Sequence, residues 1–238
     1  MKNALITGAS RGLGRALARQ LAKQGWGLVI DARDQTALDE ARAELTSIKT
    51  DPAAPVKLMA LAGDVTAQMH RKALADAARQ LGGLDAVVNN ASFLGPSPQP
   101  RLLDYPLDVL RRVYETNVMA PLALLQELRG LLRPAGCVLN ITSDAGMEAY
   151  AGWGGYGSSK AALEHLSAIL AQEDPSLRIY WVDPGDMRTQ MQQEAFPDED
   201  ISDRPLPEES VPGLIELIEG NQPSGRYKAR ELVRQEGD

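Results

Sequence analysis

The stretch NALITGASRGLGRALARQL, residues 3–21, decides how the chain folds. Asn3 to Thr7 form a short apolar run that reads as a strand. Leu13, Ala16, Leu17 and Leu21 then recur at three- and four-residue spacing, the mark of an amphipathic helix. Between them stand Gly8, Gly12 and Gly14. Glycines are needed where a backbone turns tightly and leaves the N–H groups of a helix start open to an anion such as a pyrophosphate. The spacing is TGxxxGxG, not the GxGxxG of the general dinucleotide fingerprint. Taken alone, the turn is also compatible with a plain strand-to-helix connection.

The same alternation continues along the chain. Apolar runs predict strands at 3–7, 27–31, 57–61, 84–89, 137–142 and 178–182. Amphipathic patterns predict helices at 12–24, 35–48, 66–81, 106–132, 156–173 and 208–219, before a short apolar tail. Strand alternating with helix implies right-handed crossovers and a parallel sheet covered on both faces. The expected fold is α/β: a Rossmann-type doubly wound parallel sheet of about seven strands, with residues 1–238 as a single domain. Residues 190–212 are acidic and proline-rich without periodicity, which predicts a mobile substrate-binding loop.

Bulk properties exclude several function classes. The 25 Lys and Arg against 32 Asp and Glu give a net charge of −7, with no basic block. A nucleic-acid or anionic-membrane surface is therefore not expected. The one cysteine, Cys137, lies in the apolar run GCVLNI and reads as a core residue. The absence of a disulfide framework suits a reducing, cytoplasmic setting. No spanning segment or signal peptide is expected.

The segment YGSSKAALEHL, beginning at Tyr156, carries the chemistry. Tyr156 and Lys160 are four apart on a helix and share a face. Of the six tyrosines, only Tyr156 has a lysine at that offset, which argues against coincidence. An isolated phenol titrates near ~10, so acid–base work near neutrality needs about 4 kcal/mol of preferential phenolate stabilisation. An ammonium at ~4 Å in an effective dielectric of about 20 supplies that amount. Ser143 stands just past the fifth strand, at the sheet end where parallel-sheet enzymes bind ligands. Its hydroxyl suits a hydrogen bond to an oxygen that gains negative charge.

The glycine turn, NNAS, ETNV, NITSDAG, YGSSK and PGDMRT occur in order, and the sequence resembles the short-chain dehydrogenase/reductase family in its ordinary short form. The resemblance covers residue 3 to about residue 228. It implies a catalytic set of Asn117, Ser143, Tyr156 and Lys160, with Asn117 holding a water that links Lys160 to solvent. It implies that Gly8, Ser10, Arg11, Gly12, Leu13 and Gly14 hold the cofactor. Asn89 and Ala91 would line its cleft, and Asp64 and Val65 would flank the adenine. Pro184, Gly185, Met187 and Thr189 would hold the nicotinamide, beside Tyr156 and Lys160.

For the cofactor, a plain count from the glycines finds Asp31 and Asp34, which would suit the ribose hydroxyl of NAD. Alignment to the family pattern puts the discriminating acid position on Ala32 and a phosphate-binding Arg33 after it, with Arg11 as a second guanidinium. That favours NADP(H) over NAD(H); a one-residue slip would put Asp31 at the ribose instead. Leu94, Met147, Trp153, Met187, Gln190 and Met191 are expected to line a mostly apolar substrate pocket, for a small neutral carbonyl compound or its alcohol. Two other readings stay open: an NAD-dependent alcohol dehydrogenase, and a nucleotide-sensing regulator without turnover. His70 and His165 have no visible metal partners, so no metal site is expected, and Asp144 reads as a turn residue. The resemblance implies a homodimer or homotetramer packed through the helices of 106–132 and 156–173.

Overall fold

A computed structural model describes residues 1–48 and 57–232. Seven strands form one sheet: β1 (Asn3–Ile6), β2 (Gly27–Ala32), β3 (Leu58–Ala62), β4 (Leu84–Asn89), β5 (Leu132–Ile141), β6 (Arg178–Asp183) and β7 (Gly225–Lys228). The order across the sheet is β3-β2-β1-β4-β5-β6-β7, and every pairing is parallel. The chain builds outward from β1 to β3 and then restarts on the other side at β4. A crevice therefore opens where β1 and β4 meet, at their carboxyl ends. This is the doubly wound sheet expected from the sequence.

Eight α-helices cover the sheet among the described residues: α1 (Gly12–Lys23), α2 (Gln35–Ser47), α3 (Gln68–Leu81), α4 (Leu107–Tyr114), α5 (Ala120–Leu128), α6 (Gly154–Glu173), α7 (Gln190–Ala195) and α8 (Val211–Glu219). Strand side chains alternate between the faces. Ala4, Ile6, Leu28 and Ile30 pack under α1, α2 and α8, while Leu5, Val29 and Val87 pack under α3 and α5. Cys137 is fully buried in the first of these cores. Burial pushes its thiol up to about 12, which fits a packing residue.

Four segments depart from the sequence expectation. The helix expected at 106–132 is split by a π-helical turn, Glu115–Met119. Pro121 has no N–H to offer the carbonyl four residues back, and the Ala120 N–H reaches Glu115 five residues back instead. Strand β5 begins at Leu132, because residues 132–136 run beside Leu84 before regular pairing resumes at Ala86 and Cys137. The apolar tail contributes the edge strand β7 beside β6. Residues 190–212 are also not a plain loop: they begin with α7 and end in a 3-10 turn, Pro207–Ser210, leading into α8.

A chain of buried amides ties the centre of the sheet to α6. Asn89 Nδ2 donates to Asn140 Oδ1 at 2.8 Å, and Asn140 Nδ2 donates to Ser167 Oγ at 2.7 Å. Ser167 in turn donates to the Leu163 carbonyl at 2.7 Å. A buried donor left without its acceptor costs about 1–3 kcal/mol. Ser167→Ala is expected to lower unfolding stability by that amount in urea melts, whereas Ser176→Ala on the exposed turn before β6 is expected to change it by under ~1 kcal/mol.

Candidate active site

The glycine turn is locked where β1, β2 and β4 end. Gly8 has φ +65°, and a Cβ on it would lie 2.9 Å from the Ala91 Cα, so a side chain has no room. Asn90 Nδ2 donates to the carbonyls of Thr7 and Gly8 at 2.8 and 3.1 Å. The amides of Asn90 and Ala91 both donate to Thr7 Oγ1 at 3.0 Å. Helix α1 starts at Gly12 with no side-chain cap from Arg11, so its first amides point at the crevice. Gly14 sits deeper, packed against Asn90 and the Gly8 carbonyl.

Asp31 lies beneath this turn and not at its rim. It is 1% exposed and accepts from the Gly8 amide at 2.8 Å and from His70 Nε2 at 3.0 Å. Burial pushes its carboxyl up, against the lowering effect of those two donors. The exposed residues at the end of β2 are Arg33 and Asp34; Arg11 is 3.6 Å from Asp34. His70, set aside in the sequence, fills the space that Gly63 leaves open, where a Cβ would meet the ring at 2.2 Å.

At the other end of the crevice, Tyr156 and Lys160 descend from the first turns of α6, both buried. Lys160 Nζ donates to the Ile141 carbonyl at 2.7 Å and sits 5.4 Å over the centre of the Tyr156 ring. Burial lowers Lys160 to about 7, partly offset by Glu164. Burial raises Tyr156 above the usual phenol range, with the Ser92 hydroxyl acting against it. The expected lowering of the phenol by the ammonium is not what this arrangement gives. The ammonium faces the ring and a carbonyl, and desolvation outweighs the attraction. Tyr156 thus holds its proton through the neutral range. Ser143 follows β5; its hydroxyl donates to Asp144 Oδ1 at 2.9 Å and accepts from the Ala145 amide at 3.2 Å.

Asn117 belongs to the π-helical turn and is 1% exposed. Its Oδ1 accepts from the Phe93 amide at 2.8 Å and Ser92 Oγ at 3.1 Å, and its Nδ2 donates to the Phe93 carbonyl and Ser159 Oγ, both at 3.0 Å. The side chain is saturated by protein and clamps the segment after β4 to α6. Behind Ser143 stands a group the sequence reading missed. Thr142 Oγ1 donates to Glu164 Oε1 at 2.7 Å, and Arg226 Nε reaches both Glu164 oxygens at 3.1 and 3.2 Å. Arg226 also donates to the Ser143 carbonyl at 3.2 Å and lies 3.5 Å from Asp183.

These elements enclose one cavity of about 1440 Å³. Its lining runs from Arg33, Asp64 and Val65, past Gly8, Ser10, Arg11, Gly12, Leu13 and Ala91, to Ser143, Tyr156 and Lys160. Pro184, Gly185, Met187 and Thr189 form one wall, with Leu94, Trp153, Gln190 and Met191 beyond them. Three expected residues do not line it besides the clamping Asn117. Gly14 is packed behind the turn, and Asn89 faces Asn140 within the sheet, leaving Asn90 to line the cavity. Met147 is 66% exposed and outside the lining. Phe196, not anticipated, packs on Trp153 at 5.7 Å between ring centres, and Trp153 meets the Tyr156 ring edge-on at 5.8 Å. Among the described residues no cluster of metal-binding side chains occurs, and no helix is long and apolar enough to cross a membrane.

A glycine turn at the switch point of a parallel sheet, continuous with a buried Tyr–Lys pair, defines a nicotinamide-nucleotide-dependent oxidoreductase. The short chain dehydrogenase family model matches residues 2–200, and the chain belongs to that family. Sepiapterin reductase of Mus musculus is 33% identical over 204 residues, spanning 79% of this chain and 76% of that protein. Tropinone reductase-like 3 of Erythroxylum coca is 33% identical over 202 residues, spanning 84% of this chain and 75% of its own length. Among solved structures, an alcohol dehydrogenase from the archaeon Thermococcus sibiricus, complexed with 5-hydroxy-NADP, is 28% identical. It superposes with a TM-score of 0.84 over 100% of this chain and 99% of that one. A short chain dehydrogenase from Salmonella enterica serovar Typhi gives 0.85 at 28% identity, over 96% of each chain.

The buried Lys160 has a stability cost with a definite sign. Its folded value of about 7 lies below the ordinary 10.5, so the unfolded chain binds more protons between those values. The penalty is absent above 10.5, grows as pH falls, and is complete below about 7. Lys160→Met is expected to stabilise the fold by about 2–3 kcal/mol more at pH 6 than at pH 9. Thermal melts at the two pH values check this.

Proposed function

We propose that the protein is an NADP(H)-dependent carbonyl reductase that acts on small neutral ketones, aldehydes or diketones, with Tyr156 as the general acid. The observation that carries this reading is the continuity of one cavity from Arg33 and the glycine turn to Tyr156, Lys160 and Ser143. The residues fit a dinucleotide. Gly8 leaves the close approach that a pyrophosphate needs, and the uncapped start of α1 offers amides to its charge. Arg33 and Arg11 suit a 2′-phosphate. Asp31, the rival ligand for an NAD ribose, already has donors on both carboxylate oxygens, which disfavours the NAD reading.

When bound, the nicotinamide supplies or accepts the hydride. The chain's own residues handle the substrate oxygen. Tyr156, protonated through the neutral range by burial, donates its proton to that oxygen, and the Ser143 hydroxyl hydrogen-bonds the charge developing on it. Lys160, whose proton affinity is lowered by burial, supplies positive potential beneath the phenol when protonated. The Trp153 and Phe196 rings, with Leu94 and Met191, give the substrate end a flat apolar wall. Asp144, Asp186 and Glu194 at the same end disfavour anionic substrates. Both curated relatives are named as reductases, in keeping with the reductive direction. Residues 190–212 form the cover of this end: Arg11 reaches Gln190, and Ser97 Oγ donates to the Glu194 carbonyl at 2.6 Å. Leu103, Leu107 and Met119, all more than half exposed on and beside α4 and α5, form the face proposed to pack between copies of the chain.

Two variants test this reading. Tyr156→Phe is expected to reduce turnover of an aryl diketone with NADPH by about 10²–10⁴-fold while leaving NADPH affinity nearly unchanged. Full activity in that variant overturns the mechanism. Arg33→Ala is expected to weaken NADPH binding at least about tenfold and NADH binding far less, as read by cofactor fluorescence; equal losses overturn the phosphate assignment.

A further inference from the structure

Four acids line the end of the cavity where Arg33 stands: Asp31, Asp34, Glu40 and Asp64; Asp31 is buried and the other three are exposed. Asp34 and Asp64 each feel a nearby arginine. Arg11 lies 3.6 Å from Asp34, and the Asp64 carboxyl is held below its usual range, against its burial, by two hydrogen bonds from Thr66 with the charge of Arg33 adding to them. Asp31 has none. Its two oxygens are instead capped by the Gly8 amide at 2.8 Å and by His70 Nε2 at 3.0 Å. His70 comes from α3, across β3, and its ring fits only because residue 63 is glycine. Its side chain is 9% exposed, so the contact is made in a nearly dry setting where a bare carboxylate would project its charge strongly.

We infer that His70 is a specificity-determining residue: by capping Asp31 it masks the one buried acid at this end, and so permits a 2′-phosphate to bind there. The inference rests on the NADP reading above and adds a residue to it. With His70 in place, Asp31 is a support for the glycine turn. Without it, Asp31 keeps one donor and presents a free oxygen beside the phosphate position. A dianion there is repelled, while the 2′-hydroxyl of an unphosphorylated ribose can instead donate to that oxygen. A purely structural role for His70 predicts something different: a looser turn that weakens both cofactors alike.

The test compares NADPH and NADH affinities by fluorescence titration for wild type, His70→Ala and the double variant His70→Ala with Asp31→Asn. The expected result is that His70→Ala loses at least about tenfold for NADPH and under about threefold for NADH. The double variant should recover NADPH binding to within about threefold of wild type, because asparagine still accepts from Gly8 but carries no charge. Equal losses for both cofactors, or no recovery in the double variant, overturn the inference. A wild-type preference for NADH would sink the NADP reading, yet the change in ratio on removing His70 would still decide this one. If His70→Ala does not fold, the wild-type protein gives a second readout. The chain has two histidines, and His165 is exposed on α6, so the His70 ring resonances are assigned by comparison with His165→Asn. They are expected to shift more with NADPH than with NADH; identical shifts contradict the proposal.

Discussion

The Gly8 amide donates to a carboxylate that has almost no contact with solvent, and the geometry of the cavity depends on that bond. Gly8 follows β1, Asp31 stands one residue before the end of β2, and Asn90 and Thr7 bind the end of β4 to the same point. Three strand ends are thereby held in fixed relation where the sheet reverses direction. The first amides of α1 then face a crevice whose floor is hydrogen-bonded to all three strand ends. A turn held only by its own glycines would be free to close over the space, since glycine loses more backbone entropy on ordering than other residues. The buried carboxylate opposes that entropy with two directed hydrogen bonds, and α3 contributes one of them.

The opposite end of the cavity is built on the same principle with opposite charge. Lys160 is tied to the Ile141 carbonyl, and its desolvation lowers its proton affinity. Tyr156 beside it is driven the other way. Behind them, Glu164 and Arg226 satisfy each other, Thr142 and the carbonyl of Ser143, with Asp183 alongside. An unpaired charge in that position would be strongly destabilising, and the pair also fixes the backbone from which the Ser143 hydroxyl projects. The late strand β7 therefore matters to the site, although its side chains never line the cavity. The arrangement costs stability at Lys160, while the pair behind it ties down the backbone of Ser143.

Much of this was legible in residues 3–21 and 156–166, because a glycine turn and an i, i+4 pair are local patterns with a fixed geometric meaning. The alternation of strands and helices gave the sheet for the same reason. What escaped was of two kinds. Pairs such as Asp31 with His70, 39 residues apart, and Glu164 with Arg226, 62 apart, leave no periodic trace, so His70 read only as a residue without metal partners and Arg226 as tail. Other misses turn on a single residue. Asn89 points into the sheet and Asn90 into the cavity, a difference that strand alternation decides only once the register is known. The π-helical turn at Asn117 has no periodic signature either, and the absent N–H of Pro121 that helps to place it is its one local mark in the sequence.

The measurement that bears most directly on the account is a crystal structure of the protein with NADP bound. The account predicts the pyrophosphate over Gly8 to Gly12, the 2′-phosphate against Arg33 and Arg11 with Asp31 still capped by His70, and the nicotinamide ring in front of Tyr156 and Ser143. A cofactor whose 2′-phosphate turns away from both arginines, or whose nicotinamide lies out of reach of Tyr156, would contradict it.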